Sequence, residues 1–160
     1  MPEKGHNIYM ISVTCKNVND KLSMIAIVNG GEKPMPYTID YDDLGMIKLV
    51  YEGDADLKDL KEVITRGVAL AMEKNCFRVL SDFRAMKLHL SVTALFSIPL
   101  EQISLSRELR IPYFKFKRAV VVPEKEFENY KFVENVAVNR SHQLKIFLDM
   151  QDAISWLLKE

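Results

Sequence analysis

The sequence lacks most of what marks a specialised chain. It has two cysteines in 160 residues, Cys15 and Cys76, far apart and without CxxC spacing. A small secreted scaffold carries more, at closer and even-numbered spacing, so a disulfide framework is excluded. Two idle thiols in a reducing cytosol is the plain reading. The three histidines, His6, His89 and His142, are scattered, and none lies near another His or Cys. That argues against a structural zinc site, and no metal or cofactor is expected. Net charge is also missing: 22 basic residues minus 22 acidic residues leave zero. A globally basic nucleic-acid binder and a polyacidic tail are both disfavoured. No segment approaches the roughly 18 unbroken apolar residues of a membrane span. The stretch from Asn7 to Cys15 is partly apolar, but Lys16, Asn17, Asn19, Asp20 and Lys21 follow where a signal peptide would carry small residues. The expected location is cytoplasmic, with no integral membrane segment. No GxSxG, P-loop or GxGxxG motif occurs, so no enzyme activity is expected.

What is present is an ordinary globular composition, 48% apolar or aromatic and 28% charged, which excludes disorder, collagen and coiled coil for the chain as a whole. The length fits one domain, or one domain plus a tail, at roughly 100–200 residues per domain. Residues 1–34 differ from the rest. Ile8 to Thr14 and Leu22 to Val28 could pair as a short hairpin, and Asn29-Gly30-Gly31-Glu32-Lys33-Pro34 is a strong breaker. Three readings stay open for this extension: a hairpin, disorder, or a segment that is not native, with translation starting at Met35. The main domain is placed at residues 35–160.

From Tyr37 the pattern is regular. Tyr37 to Tyr41 and Met46 to Glu52 read as an antiparallel hairpin around Asp42-Asp43-Leu44-Gly45, with Gly45 free to take positive φ. Ile47, Leu49 and Tyr51 fall on one side of the second strand, and Met46, Lys48 and Val50 on the other. Gly53 breaks it, and Asp54 or Asp56 caps the next helix. That helix runs from about Leu57 to Asn75, with Leu57, Leu60, Ile64, Val68 and Ala71 on one stripe, joined by Val63 and Met72. Phe77 to Phe83 is a strand and Arg84 to Leu90 a connection. Ser91 caps a second helix over Val92 to Leu109, which Pro99 should kink or split. Phe116 to Val122 is a strand, Glu124 to Asn139 a helix, and Leu144 to Leu148 the last strand. Asp149 caps the last helix, with Asp152 completing a capping box. Alternation of this kind predicts an α/β domain with a mainly parallel sheet. If strand order follows chain order, right-handed crossovers put every helix on one face and leave the other open. Lys48, Arg78, Asp82, Arg118 and Lys145 put a charge on each core strand, as a half-exposed sheet allows.

The layout from 36 to 159 resembles the SpoIIAA-like fold, shared by STAS domains and CRAL-TRIO lipid-binding domains. It is most similar to small, uncharacterised bacterial single-domain members. The residues that carry the likeness are Tyr37-Thr38-Ile39-Asp40-Tyr41-Asp42 with Leu44-Gly45, the segment from Arg78 to Arg84, the run Ala137-Val138-Asn139-Arg140, the strand from Lys145 to Asp149, and Ala153 to Leu157. The resemblance implies a mainly parallel five-stranded sheet with an antiparallel edge hairpin and four helices. It also implies a signalling or protein-interaction role, with a protein partner or a homodimer. STAS antagonists carry a phosphorylatable Ser at the start of the helix after the third strand, usually within Asp-Ser-Ser-Gly. Here that place reads His89-Leu90-Ser91-Val92, and only Ser91 matches.

Several sites follow, each with two readings. Ser91 is a phospho-acceptor on a helix N-terminus or simply a helix cap. The apolar residues of the second helix, from Leu90 through Leu95 and Leu100 to Leu109, point all round its wheel. Such a helix is buried or is a binding surface. Leu95, Phe96, Ile98 and Leu100 are the candidate partner surface, unless Pro99 divides the helix into two pieces with separate core stripes. Asp82 and Arg84 are candidate polar contacts to a ligand or partner, or a strand-end ion pair. Arg107, Arg110, Lys115, Lys117 and Arg118 are interleaved with Tyr113, Phe114 and Phe116. This can bind single-stranded nucleic acid or another anion, but one such cluster on a neutral chain makes nucleic acid the weaker reading. The carboxylates Asp40, Asp42, Asp43, Asp54, Asp56 and Asp59 fail calcium-loop spacing, since Leu44 and Tyr51 fall where ligands are needed. Asn139-Arg140 closes a helix, where Arg complements the C-terminal carbonyls. The favoured function is a non-catalytic, cytoplasmic interaction or regulatory module. The alternative is a small apolar-ligand or lipid-binding protein of CRAL-TRIO-like type.

Overall fold

The computed structural model describes residues 36–108 and 110–159, without the side chains of Val92, Phe96, Glu101, Gln102, Ile103, Leu105, Ser106 and Glu108. The extension at 1–34, with Cys15 and His6, lies outside the described residues. So do the side chain of Phe96 and the whole of Leu109.

Strands β1 (Tyr37–Tyr41) and β2 (Ile47–Ala55) form an antiparallel hairpin in which Tyr41 stands opposite Ile47. The turn is held by one side chain: Asp42 Oδ1 accepts the N–H groups of Leu44 and Met46 at 3.0 and 3.1 Å. Gly45 supplies the left-handed backbone, with φ 72°. Helix α1 (Leu57–Glu73) begins with a reciprocal capping box between Asp56 and Asp59. It buries Leu60, Val63, Gly67 and Ala71, while Met72, expected on that stripe, is exposed. α1 ends in a Schellman arrangement, with Asn75 N–H on Met72 O and Cys76 N–H on Ala71 O. Strands β3 (Arg78–Leu88), β4 (Lys117–Val121) and β5 (Gln143–Phe147) follow β2 in parallel, giving the order β1-β2-β3-β4-β5. Helices α2 (Val92–Glu108), α3 (Phe127–Val138) and α4 (Met150–Leu158) complete the domain. It is thus α/β, with the expected five strands and four helices.

Three expectations need correction. β2 and β3 do not stop at Glu52 and Phe83; they pair on to Ala55 and Leu88. The cause is a bulge that sets Val50 opposite Asp82 but Glu52 opposite Ala85. The extra residue in β3 flips the alternation, so Phe83 and Met86 both face the core. Gly53 does not end its strand: at φ 89° it stays in the ladder opposite Met86. Second, Pro99 does not split α2, which runs through it as one helix. The lost hydrogen bond is offset in part by burial of the proline ring. Third, the sheet is not open on one face. Helices α1, α2 and α3 cover the face of Leu49, Tyr51, Phe83 and Ile146. α4 does not connect two strands of the described sheet, so the crossover rule does not bind it. It folds over the opposite face, where Ala153 and Leu157 close on Leu80, Val121 and Phe147. Asp149 caps α4 through the N–H groups of Gln151 and Asp152. The reciprocal bond from Asp152 is not formed among the described residues.

Candidate functional site

The extension of β2 and β3 beyond the rest of the sheet creates one polar corner. Asp54, near the end of β2, meets His89, just past β3, with Oδ1 and Nε2 2.6 Å apart. Both side chains are well exposed. This pair was not legible in the sequence, since 35 residues separate the two and the bulge sets the register that joins them. Two residues on, exposed Ser91 caps α2, its Oγ accepting the N–H of Ala94 at 3.2 Å. Its hydroxyl is therefore both a cap and accessible at a helix N-terminus, where an added phosphate would be favoured.

α2 itself shows two apolar sides. Leu95 is buried in the core and Ile98 packs beside it. Leu100, about 140° round the helix from Leu95 at 3.6 residues per turn, is 50% exposed. Of the expected partner surface, then, Leu100 is the described member at the surface, and Leu95 belongs to the interior.

Asp82 and Arg84 form a two-pronged ion pair, with Nε to Oδ1 at 2.9 Å and a terminal guanidinium nitrogen to Oδ2 at 2.7 Å. Burial alone would raise the Asp82 carboxyl. Its hydrogen bonds from Arg84, the Arg84 charge and Lys48 outweigh that and hold it below the usual range. The pair marks the line where β4 stops and β3 continues, not the end of β3.

The basic run after α2 does not share one setting: Arg107, Arg110 and Lys115 are exposed and Arg118 is not. Lys117 lies over the Trp156 ring and Lys115 over Phe77. Tyr113 and Phe116 are buried. Arg118 turns inward, 5.0 Å from the Tyr113 ring centroid, with its Nε sealed from solvent. It donates to Nδ1 of buried His142 at 3.1 Å. Burial, then the charges of Arg118 and Arg140, lower the His142 pKa to about 4, so the imidazole is neutral and can accept that bond. Of the acidic residues, Asp42 holds the turn and Asp56 and Asp59 the cap of α1, and among the described residues no group of three His, Cys, Asp or Glu could hold a metal.

Beneath α2, between the sheet and α1 and α3, lies a cavity of about 110 Å³. Its walls are apolar, from Leu49, Ile64, Val68, Ile98, Pro99 and Ile146 among others. Four polar side chains also line it: Ser81, Tyr113, Arg118 and Tyr130. Ser81 and Arg118 occupy core-facing positions on neighbouring strands, since Ser81 stands opposite Val120 and Arg118 opposite Val79. The sequence reading missed both as a set. The available signal was a polar residue where strict alternation demands an apolar one, at Val79-Ser81-Phe83 and at Phe116-Arg118-Val120.

No family model matches the chain, and no curated protein matches it. Solved structures do. One is an uncharacterised protein from the DUF3478 family with a SpoIIAA-like fold, from Shewanella loihica PV-4. It shares 17% identity over 80% of this chain and 98% of its own, at a TM-score of 0.50. Another is an anti-sigma factor antagonist from Mycobacterium paratuberculosis, with 12% identity over 79% and 98% and a TM-score of 0.49. The strand order, the antiparallel edge hairpin and the first of these likenesses agree, and the chain has the SpoIIAA-like fold.

Proposed function

We propose that the chain is a non-catalytic, cytoplasmic regulatory module of STAS-like type, which engages a protein partner or a second copy through α2 and the loop before it. One observation carries this reading. α2 satisfies the core with Leu95 and Pro99, yet still holds Leu100 half exposed on another side. Ser91 and the Asp54–His89 pair stand at the N-terminal end of the same helix, giving a polar rim to an apolar contact. The contacts around Ser91 are its cap and the Asp54–His89 hydrogen bond, which suit a docking edge.

The test is light scattering and covalent cross-linking on the full chain, wild type against Leu100→Asp. The expected result is an oligomer, or a complex with a defined partner, that the variant weakens at least tenfold while its circular dichroism stays unchanged. Assembly that ignores Leu100→Asp would overturn α2 as the contact. Ser91→Asp is expected to shift the same equilibrium if phosphorylation regulates it.

A further inference from the structure

We infer that the outer edge of β1 is the docking site for the chain's own segment Leu22–Val28, which adds a further strand antiparallel to β1. That segment lies outside the described residues. The inference concerns an edge of the sheet and is independent of α2.

The two edges of the sheet differ. Among the described residues, β1 and β5 are the outer strands. The β5 edge is closed by a side chain: Glu134, on α3, accepts the outward N–H of Ile146 at 2.6 Å. Beside it, the Gln143 side chain donates to Phe114 O at 3.2 Å. The β1 edge has no such cover among the described residues.

Register fixes which groups of β1 point outward. Glu52 N–H donates to Pro36 O, and Asp42 N–H to Met46 O. Thr38 opposite Val50 and Asp40 opposite Lys48 fall in the same alternation. These four residues of the β1 side therefore turn their backbone toward β2, and Tyr37, Ile39 and Tyr41 present N–H and C=O groups on the far side. Such a row is a template for another strand, and proteins normally blunt it with lysine, proline or a bulge. β1 has no lysine, and its one charge, Asp40, stands opposite Lys48. Pro36 faces β2, so its missing N–H does not block the outer side. The bulge lies between β2 and β3.

The chain itself supplies the occupant. Leu22-Ser23-Met24-Ile25-Ala26-Ile27-Val28 is uncharged and ends in β-branched residues. It reaches β1 through residues 29–36, where Gly30 and Gly31 permit a reversal. A strand that arrives by so short a connection is antiparallel. The tether makes docking intramolecular, at an effective concentration on the order of millimolar. The earlier run from Ile8 to Thr14 would close a longer loop at greater entropic cost. Tyr37 and Ile39 are half-buried at the margin of the core. A strand with Leu22, Met24, Ala26 and Val28 on their side extends that core past them.

The experiment is amide hydrogen exchange on the full chain, read by NMR, for wild type and for a variant carrying Ile25→Pro and Ala26→Pro. The pair of prolines removes the N–H that faces β1 whichever residue carries it. Thr38 and Asp40, turned toward β2, are the internal reference. In wild type, Ile39 and Tyr41 are expected to exchange within about tenfold of that reference, and in the variant at least about tenfold faster than in wild type. Leu80 and Val120, at the centre of the sheet, should stay protected in both. Contacts between the α-protons of Leu22–Val28 and of Tyr37–Tyr41 are expected in wild type, and their absence would overturn the docking. Exchange of Ile39 and Tyr41 at the rate of a free chain in wild type would overturn it too. Protection that survives the prolines would assign the edge to another occupant, a second copy if it falls on dilution, and would also overturn it.

Discussion

Ser141 adopts φ 64° and Asn75 φ 48°, both in the left-handed region where a Cβ is strained. Each follows a helix and leaves the helix-end carbonyls satisfied by the next residues. Glycine would release the strain, so Ser141→Gly is expected to stabilise the fold by about 1 kcal/mol, read from urea unfolding. His142 gives a second prediction. Its folded pKa of about 4 lies below the unfolded value near 6.5. Unfolding therefore takes up a proton between those values, and the stability contributed by the neutral ring is complete above about pH 6.5. It is lost as pH falls from there through 4, at up to about 1.4 kcal/mol per pH unit. Thermal unfolding across this window should show the slope, and His142→Gln should flatten it. Asp82 acts in a lower window, because its carboxyl is held below the usual range and contributes until it protonates. Residues like these show where alternation alone misleads. Arg118 looks like part of a basic run, yet its strand position faces the core with Val120, and only the paired strand reveals Ser81 beside it.

At the scale of elements, α1 carries an unusual interior glycine. Gly67 is buried with ordinary helical backbone, and a Cβ there would meet Leu49 Cδ1 at 3.8 Å, a normal contact. Gly67→Ala should therefore stabilise the protein by up to about 1 kcal/mol through helix propensity, and it should narrow the cavity it lines. A fall in stability on urea unfolding would mean that the helix sits closer to the sheet than these distances allow. The cap of α4 gives a parallel case. Asp149 accepts two backbone N–H groups, so Asp149→Ala is expected to cost about 0.5–2 kcal/mol by the same measurement. Most elements were legible from periodicity and punctuation: β1 spans the expected residues, and α1, α3 and α4 differ at their ends. The tail of β3 was not legible. Phe83, Met86 and Leu88 are spaced by three and then two, which breaks the period on which strand reading rests, and only pairing with β2 shows the bulge.

At the scale of the molecule, chain-order strands with right-handed crossovers dictated where α1, α2 and α3 lie, but they did not constrain α4. The candidate corner was half visible: Ser91 could be singled out by position, whereas the Asp54–His89 pair needed the register of two strands. The described residues contain no helix long and apolar enough to cross a membrane. The sheet, closed on one face by three helices and on the other by α4, is a scaffold that holds α2 at its surface with Leu100 outward and Leu95 inward. The central claim is that this helix is a contact surface. Native mass spectrometry of the full chain purified from its own cells, repeated with Leu100→Asp, tests it most directly. The account predicts a second copy or a stoichiometric protein partner that the variant loses. A bare monomer from both, at cellular concentration, would contradict it.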